Sequence, residues 1–194
     1  MTAPSAAVSA GAGELTPEER RVLLAAARES IAAHLGRRPA RLPAPSGTLA
    51  RKQGAFVTLH RREDGELRGC VGMMRAEEPL LGTVARMAVV AATEDGRFDP
   101  VSGGELDGLH IEISALSPLE PIRPEDVVVG RHGLLIGYGG RRGVLLPQVP
   151  VEHGWDREAF LAHTCRKAGL PEDAWRQPGV ELLGFTATVF GERD

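Results

Sequence analysis

The residues with the clearest chemical potential lie in the segment Leu67–Gly72, which reads Leu-Arg-Gly-Cys-Val-Gly. Successive side chains of a strand point to opposite faces, so Arg68 and Cys70 are predicted to share a face. A guanidinium beside a partly exposed thiol favours the thiolate, the form that acts as a nucleophile or a metal ligand. Gly69 and Gly72 have no side chain and would let a ligand or another backbone approach closely. A packed strand cysteine next to an arginine that is salt-bridged elsewhere is the alternative interpretation.

The other candidate residues lie on one predicted helix near the end of the chain. Cys165 shares a helix face with Leu161 and Ala168, so it is predicted to be a packing residue. His163 lies on an adjacent face, where it could act as a general base or as a hydrogen-bonded surface histidine. Both interpretations of His163 stay open.

Composition and motif content argue against several classes of protein. The 194 residues contain no HExxH, GxSxG, CxxC or EF-hand pattern, which removes the common metalloprotease, hydrolase, redox and calcium-binding interpretations. The two cysteines lie far apart with no close His or Cys pair, so we expect no metal site, no cofactor and no disulfide framework. The formal net charge is −3 and the arginines are scattered, so nucleic acid binding has no support. The absence of a disulfide framework indicates a reducing compartment, so we expect a cytoplasmic protein. No apolar stretch approaches the roughly 20 residues that span a bilayer.

Capping and turn signals predict the elements that must position these residues. Thr16-Pro17-Glu18-Glu19 has the spacing of a capping box, and Asp64-Gly65 and Gly139-Gly140 are hairpin signals. Helices are predicted over residues 17–35, 79–92 and 157–168, and strands over 55–60, 67–72, 110–116, 134–136, 144–146 and 180–190. The last of these strands is expected to return to the main sheet.

This order of elements predicts an α+β fold with a mostly antiparallel sheet flanked by helices, because strict βαβ alternation is missing. A cluster of prolines after residue 117 suggests two unequal subdomains within one domain, residues 15–194. The larger is predicted to comprise about residues 15–118 and 180–194, and the smaller about 119–179. Residues 1–14 lack an apolar pattern and are predicted to form a disordered tail.

Several blocks of the sequence resemble a known family. They are Leu67–Gly72, Arg97-Phe98, Leu145–Val149, Gly154-Trp155-Asp156, and the run Phe160-Leu161, His163, Cys165 and Lys167–Leu170. In this order the blocks resemble the signature of AmmeMemoRadiSam system protein A, a family with an AMMECR-type domain, over about residues 15–191. The resemblance implies two unequal subdomains with a cleft between them. It also implies an association with a Memo-like protein and a radical S-adenosylmethionine protein.

By matching motif, the resemblance implies the cleft residues Arg68, Cys70, Arg97, Gln148, Trp155, Asp156 and His163. The leading interpretation is a cytosolic component of a multi-protein modification system that binds a small anionic ligand or a partner's peptide segment near Arg68 and Cys70. A stand-alone enzyme with Cys70 as nucleophile, His163 as base and Gln148 helping to stabilise an oxyanion is one alternative. A pure interaction scaffold is another. Whether the chain is an enzyme stays open at this point.

Overall fold

A computed structural model describes residues 15–192 of the chain, which fold into helices and two antiparallel sheets. The α-helices are α1 (Pro17–Leu35), α2 (Leu80–Thr93), α3 (Gln148–Glu152) and α4 (Arg157–Lys167). The strands are β1 (Ala55–Arg61), β2 (Leu67–Met73), β3 (Leu109–Leu116), β4 (Glu120–Pro121), β5 (Gly133–Tyr138), β6 (Arg141–Leu145), β7 (Glu181–Phe185) and β8 (Ala187–Gly191). The first sheet has the order β2-β1-β3-β8 and the second has the order β4-β7-β5-β6. The predicted α+β class is confirmed.

The predicted helix start and hairpin turns are present. The Thr16 hydroxyl accepts a hydrogen bond from the Glu19 backbone N–H at 3.2 Å, and the Glu19 carboxylate accepts one from the Thr16 N–H at 2.9 Å. The β1–β2 turn contains Gly65 with φ +73°, and the β5–β6 turn contains two glycines with positive φ. These are backbone conformations in which glycine avoids the steric penalty of a side chain. The strand β4 and the short helix α3 have no counterpart in the predicted elements.

Among the described residues, α1 and α2 pack against one face of the first sheet. Alternate residues of β1 and β3 are buried in a core with α1 and α2, namely Val57, Leu59, Ile111 and Ile113 against Leu23, Ile31, Leu80 and Val84. The residues between them on β1 and β3 are mostly half-buried and mostly polar. We call this second side of the first sheet, away from α1 and α2, the open face. Its side chains are positioned by the strands rather than by loops.

The second sheet packs against α4. Phe160 and Leu161 of α4 are fully buried together with Leu134 of β5. A Cβ at Gly143 of β6 would lie 2.3 Å from the Ala168 backbone nitrogen, so the glycine permits the close approach of α4 to the sheet. No helix within residues 15–192 is long and apolar enough to cross a membrane.

The end of the chain corrects the sequence prediction. Residues 180–190 were expected to form one strand in the main sheet, but β7 pairs with β4 and β5 in the second sheet, and β8 pairs with β3 in the first. Thr186 separates the two strands, where its carbonyl accepts the Ser117 N–H at 2.8 Å. The strand-like alternation continues across this point, so periodicity alone could not locate the break. The second sheet therefore includes the chain as far as Phe185. The predicted tail 1–14 lies outside the described residues.

Candidate functional site

Cys70 lies in the middle of β2 on the open face, opposite Thr58 of β1. The Thr58 hydroxyl donates a hydrogen bond to the Cys70 sulfur at 3.3 Å, and the thiol is half-buried. On the far side of Thr58, Glu112 of β3 continues the same row across the sheet.

The loop that follows α2 brings a charged pair to Cys70. The Asp95 carboxylate accepts the Cys70 backbone N–H at 2.8 Å, and the Arg97 guanidinium donates to the Cys70 carbonyl at 3.1 Å. Arg97 also donates two hydrogen bonds to Asp95, at 2.7 and 2.9 Å. The Asp95 side chain is 6% exposed and the Arg97 side chain is 56% exposed. The guanidinium therefore faces solvent and the carboxylate anchors it from behind.

The electrostatics of this Asp95–Arg97 pair follow from its hydrogen bonds. Arg97, and then the Cys70 N–H, hold the pKa of Asp95 well below its usual range, although burial of the carboxylate opposes the shift. Asp95 in turn raises the pKa of Arg97, and negative charge on Cys70 adds a smaller contribution in the same direction. Arg97 therefore stays a cation beside the thiol under all physiological conditions.

Arg68, the predicted neighbour of the thiol, has other partners. Its guanidinium donates to Glu105 at 3.1 and 3.2 Å and to the Asp99 carbonyl at 2.8 Å, and its side chain is only 12% exposed. The strand pattern fixed the face on which Arg68 begins but not the direction of its long side chain. Arg68 is therefore salt-bridged to Glu105, as the alternative interpretation of this segment predicted. The arginine that contacts Cys70 is Arg97.

The two glycines beside Cys70 do not leave room for a ligand. A Cβ at Gly69 would lie 2.2 Å from the Ala91 carbonyl oxygen of α2, so the backbone of α2 occupies the space beside Gly69 on the core side. A Cβ at Gly72 would lie 2.3 Å from the ring of Phe56. The expected close approach is made by the protein itself, and the prediction that Gly69 contacts a ligand finds no support.

The remaining predicted site residues lie on or beside α3 and α4. The Trp155 ring is stacked between His153, with centroids 4.6 Å apart, and His163, with centroids 3.7 Å apart. The Asp156 carboxylate accepts the Ala159 N–H at 2.8 Å and so caps α4, as predicted. Gln148 is exposed at the first position of α3.

Cys70 and His163 are not hydrogen-bonded to each other in the described part of the chain. The Cys70 sulfur accepts a hydrogen bond from Thr58, whereas the His163 ring is stacked on Trp155. A nucleophile and its base need a separation of roughly 3 to 4 Å, directly or through one water. This geometry gives no support to the Cys70–His163 enzyme alternative.

Cys165 is buried, whereas Cys70 is only half-buried. The Cys165 side chain is fully buried between Ile136 and Ala174, and this burial raises the pKa of its thiol. Within residues 15–192 there is no group of three or more His, Cys, Asp or Glu side chains placed to hold a metal ion.

Sequence reasoning missed two contributors to the Cys70 environment, Thr58 and Asp95. Thr58 occupies a polar position in the alternation of β1, opposite a strand whose register the Asp64-Gly65 hairpin sets. Asp95 lies two residues before Arg97 and accepts its backbone N–H at 3.2 Å, an arrangement typical of an Asx turn. Both signals were present in the sequence.

Comparison with known proteins identifies the family. The sequence model of AMMECR1 matches residues 24–190. Protein MK0488 of Methanopyrus kandleri is 44% identical over 93% of this chain and 92% of its own length, and Protein MJ0810 of Methanocaldococcus jannaschii is 43% identical over 92% of each. The crystal structure of the uncharacterized protein PH0010 from Pyrococcus horikoshii superposes with a TM-score of 0.72 at 40% identity, covering 88% of this chain and 90% of that one. The chain therefore belongs to the AMMECR1 family.

Proposed function

We propose that this chain is a cytoplasmic binding component of a multi-protein modification system that includes a Memo-like protein and a radical S-adenosylmethionine protein. In this proposal the open face holds an anionic group, carried by a small ligand or by a partner's segment, beside Cys70 and Arg97. The association with the two partner proteins rests on the family resemblance. The binding role rests on the geometry around Cys70.

The observation that carries the binding role is the exposed guanidinium of Arg97. Its Nε and one of its terminal nitrogens are bonded to Asp95, which fixes the plane of the group. The other terminal nitrogen, Nη1, donates to no oxygen atom within residues 15–192, and its neighbour on the protein side is Cys70. A planar cation that is fixed from behind and exposed in front is suited to carboxylates and phosphates, because little conformational entropy is lost on binding.

The thiol gives the site a second property that a plain anion site lacks. Cys70 is partly exposed to solvent, and its sulfur accepts a hydrogen bond from the Thr58 hydroxyl. An anion bound at Arg97 would lie close to Cys70, whose carbonyl accepts a hydrogen bond from this guanidinium, and would change the reactivity of the thiol. Binding can therefore be followed at Cys70 itself, without knowing the natural ligand.

Two alternatives have less support. The Cys70–His163 enzyme lacks a hydrogen bond between its nucleophile and base, as described above. The interaction scaffold predicts a large exposed apolar patch, whereas the exposed large apolar residues of the described chain lie on separate elements: Leu67 on β2, Val128 in a loop, Tyr138 on β5, Val151 on α3 and Val189 on β8.

Protection of Cys70 from alkylation tests the proposal. Purified protein is treated with limiting iodoacetamide, a neutral reagent, while phosphate, acetate or the purified Memo-like protein is titrated, and peptide mass spectrometry quantifies the label. We expect saturable protection of Cys70 that disappears in Arg97→Gln and persists in Arg123→Gln, a matched control in which an exposed arginine pairs with Asp126. Protection by phosphate or acetate indicates a small ligand, and protection by the protein alone indicates a partner's segment. Absence of protection in every arm, or equal protection in Arg97→Gln, would contradict the binding role.

A further inference from the structure

A polar cavity lies away from Cys70, where the chain crosses between the two sheets. Its volume is about 340 Å³, and its walls include Ser117 and Thr186 from the two crossing segments, Glu120 of β4, and Arg131 and His132 of the loop before β5. This volume is in the range of pockets that hold small molecules, at its lower end. None of these residues belongs to the candidate site described above.

The crossing segments fix one wall of the cavity. Ser117 donates its N–H to the Thr186 carbonyl at 2.8 Å, and the Thr186 N–H donates to the Ser117 hydroxyl at 2.9 Å. The Ser117 hydroxyl donates in turn to the Pro118 carbonyl at 3.1 Å, so its single O–H donor is used. The Thr186 hydroxyl has no hydrogen-bond partner within the described residues, and it remains available to a ligand.

His132 supplies a second unused donor. Its Nδ1 accepts the Val128 backbone N–H at 3.1 Å, which places the proton of the neutral ring on Nε2. Burial, and then the charge of Arg131, lower the pKa of His132, so the ring is neutral near pH 7. The Nε2–H makes no hydrogen bond to any residue from 15 to 192.

Two opposite charges line the same cavity without pairing. Arg131 and Glu120 are both exposed, and neither forms a salt bridge or a side-chain hydrogen bond in the part of the chain that the structure describes. Elsewhere on this surface arginine side chains pair readily with nearby carboxylates, as Arg123 does with Asp126 at 2.7 Å. A guanidinium and a carboxylate that face one cavity and stay apart leave a gap that a ligand of complementary charge can bridge.

We propose that this cavity binds a small zwitterion, a molecule with a carboxylate at one end and an ammonium at the other. The carboxylate accepts hydrogen bonds from Arg131, His132 and Thr186, and the ammonium donates to Glu120. A simple anion would meet the Glu120 charge and a simple cation would meet the Arg131 charge, so each half-ligand binds more weakly than the complete molecule. Free amino acids of small size have this chemistry.

Nuclear magnetic resonance of the full ¹⁵N-labelled chain tests the proposal. Glycine, β-alanine and γ-aminobutyrate are titrated, because they separate the two charges by increasing distances, and acetate and methylammonium serve as half-ligands. We expect at least one zwitterion to shift the backbone signals of Arg131, Gly184 and Thr186 in a saturable manner. The half-ligands should need about tenfold higher concentrations for the same shifts.

Variants locate the binding. Arg131→Gln and Glu120→Gln should each weaken binding of that zwitterion by about tenfold, because a charged hydrogen-bond partner is lost. Arg75→Gln and Glu63→Gln alter exposed charges that do not line the cavity and should leave binding unchanged. Failure of all three zwitterions to shift these signals would overturn the proposal, and this arm uses the unaltered protein. Shifts by acetate at the same concentrations as by the zwitterions, or equal losses in the control variants, would also overturn it.

Discussion

The two thiols of this chain should differ strongly in reactivity, and Arg97 should supply part of the difference. Cys165 is fully buried and its thiol pKa is raised, so a reagent reaches it only when α4 opens locally. Cys70 is half-buried, and its sulfur accepts a hydrogen bond from the Thr58 hydroxyl. Its carbonyl accepts one from the Arg97 guanidinium. Iodoacetamide near neutral pH should label Cys70 at least about a hundredfold faster than Cys165.

The contribution of Arg97 can be worked out from its position. A unit charge about 4 Å from a thiolate stabilises it by about 1 kcal/mol in a water-like environment and by more in a buried one. Arg97 is 56% exposed and its charge is shared with Asp95, so the value at the water-like end applies. An interaction of about 1 kcal/mol with the reacting sulfur corresponds to about a fivefold change in labelling rate.

The perturbation is therefore Arg97→Gln, which keeps most of the side chain's length and removes its charge. Labelling of Cys70 should slow about fivefold, whereas Arg97→Lys should retain most of the rate. Arg68→Gln should have a smaller effect than Arg97→Gln, because the Arg68 guanidinium is bonded to Glu105 and Asp99. Stopped alkylation time courses with peptide mass spectrometry give both rates in one sample. Equal labelling of the two cysteines, or an Arg97→Gln rate equal to that of the unaltered chain, would refute the reasoning.

Three further predictions concern stability. Gly69→Ala should lower the free energy of unfolding by roughly 1 to 3 kcal/mol, because its Cβ would lie 2.2 Å from the Ala91 carbonyl, and Tm should fall by roughly 3 to 10 °C. Gly103→Ala, which has open space around it, is the control, and similar falls in both variants would contradict the packing argument. Thr16→Ala should lose about 1 kcal/mol in urea unfolding followed by circular dichroism, and Thr16→Ser should lose little; an unchanged Thr16→Ala midpoint would show that the capping box does not stabilise α1. The pKa of Asp95 is lowered by folding, so its contribution is present above the unfolded value of about 4 and is lost as pH falls below that value. Asp95→Asn should therefore flatten the decline of unfolding free energy between pH 7 and about pH 3, and an unaltered pH dependence would count against this assignment.

Local signals in the sequence predicted the elements well. The Thr16 capping box, the Gly65 turn and the Asp156 cap each depend on residues within a few positions of one another, and all three are present. The break at Thr186 was not predictable in the same way, because the Thr186 carbonyl accepts its hydrogen bond from Ser117, which lies far away along the chain. Alternation cannot say to which sheet a strand belongs.

In the candidate site, too, the local features were predictable and the long-range contacts were not. The sequence placed Cys70 on a strand and Cys165 in a helix core, since both follow from periodicity. It could not say that Arg68 turns towards Glu105 or that Arg97 reaches Cys70, because these contacts depend on how the loop after α2 folds back onto β2. The family resemblance named Arg97 without assigning its contacts.

The Asp95–Arg97 pair has a consequence for self-association that is independent of the thiol. β2 is an edge strand of the first sheet, and an edge presents unpaired N–H and C=O groups to which another chain can add a strand. At Cys70 both groups are already occupied, the N–H by Asp95 and the C=O by Arg97. The two side chains thus take the place of a neighbouring strand at the centre of the edge. Loss of either one would free a backbone group there and make this border of the sheet more prone to intermolecular β-pairing.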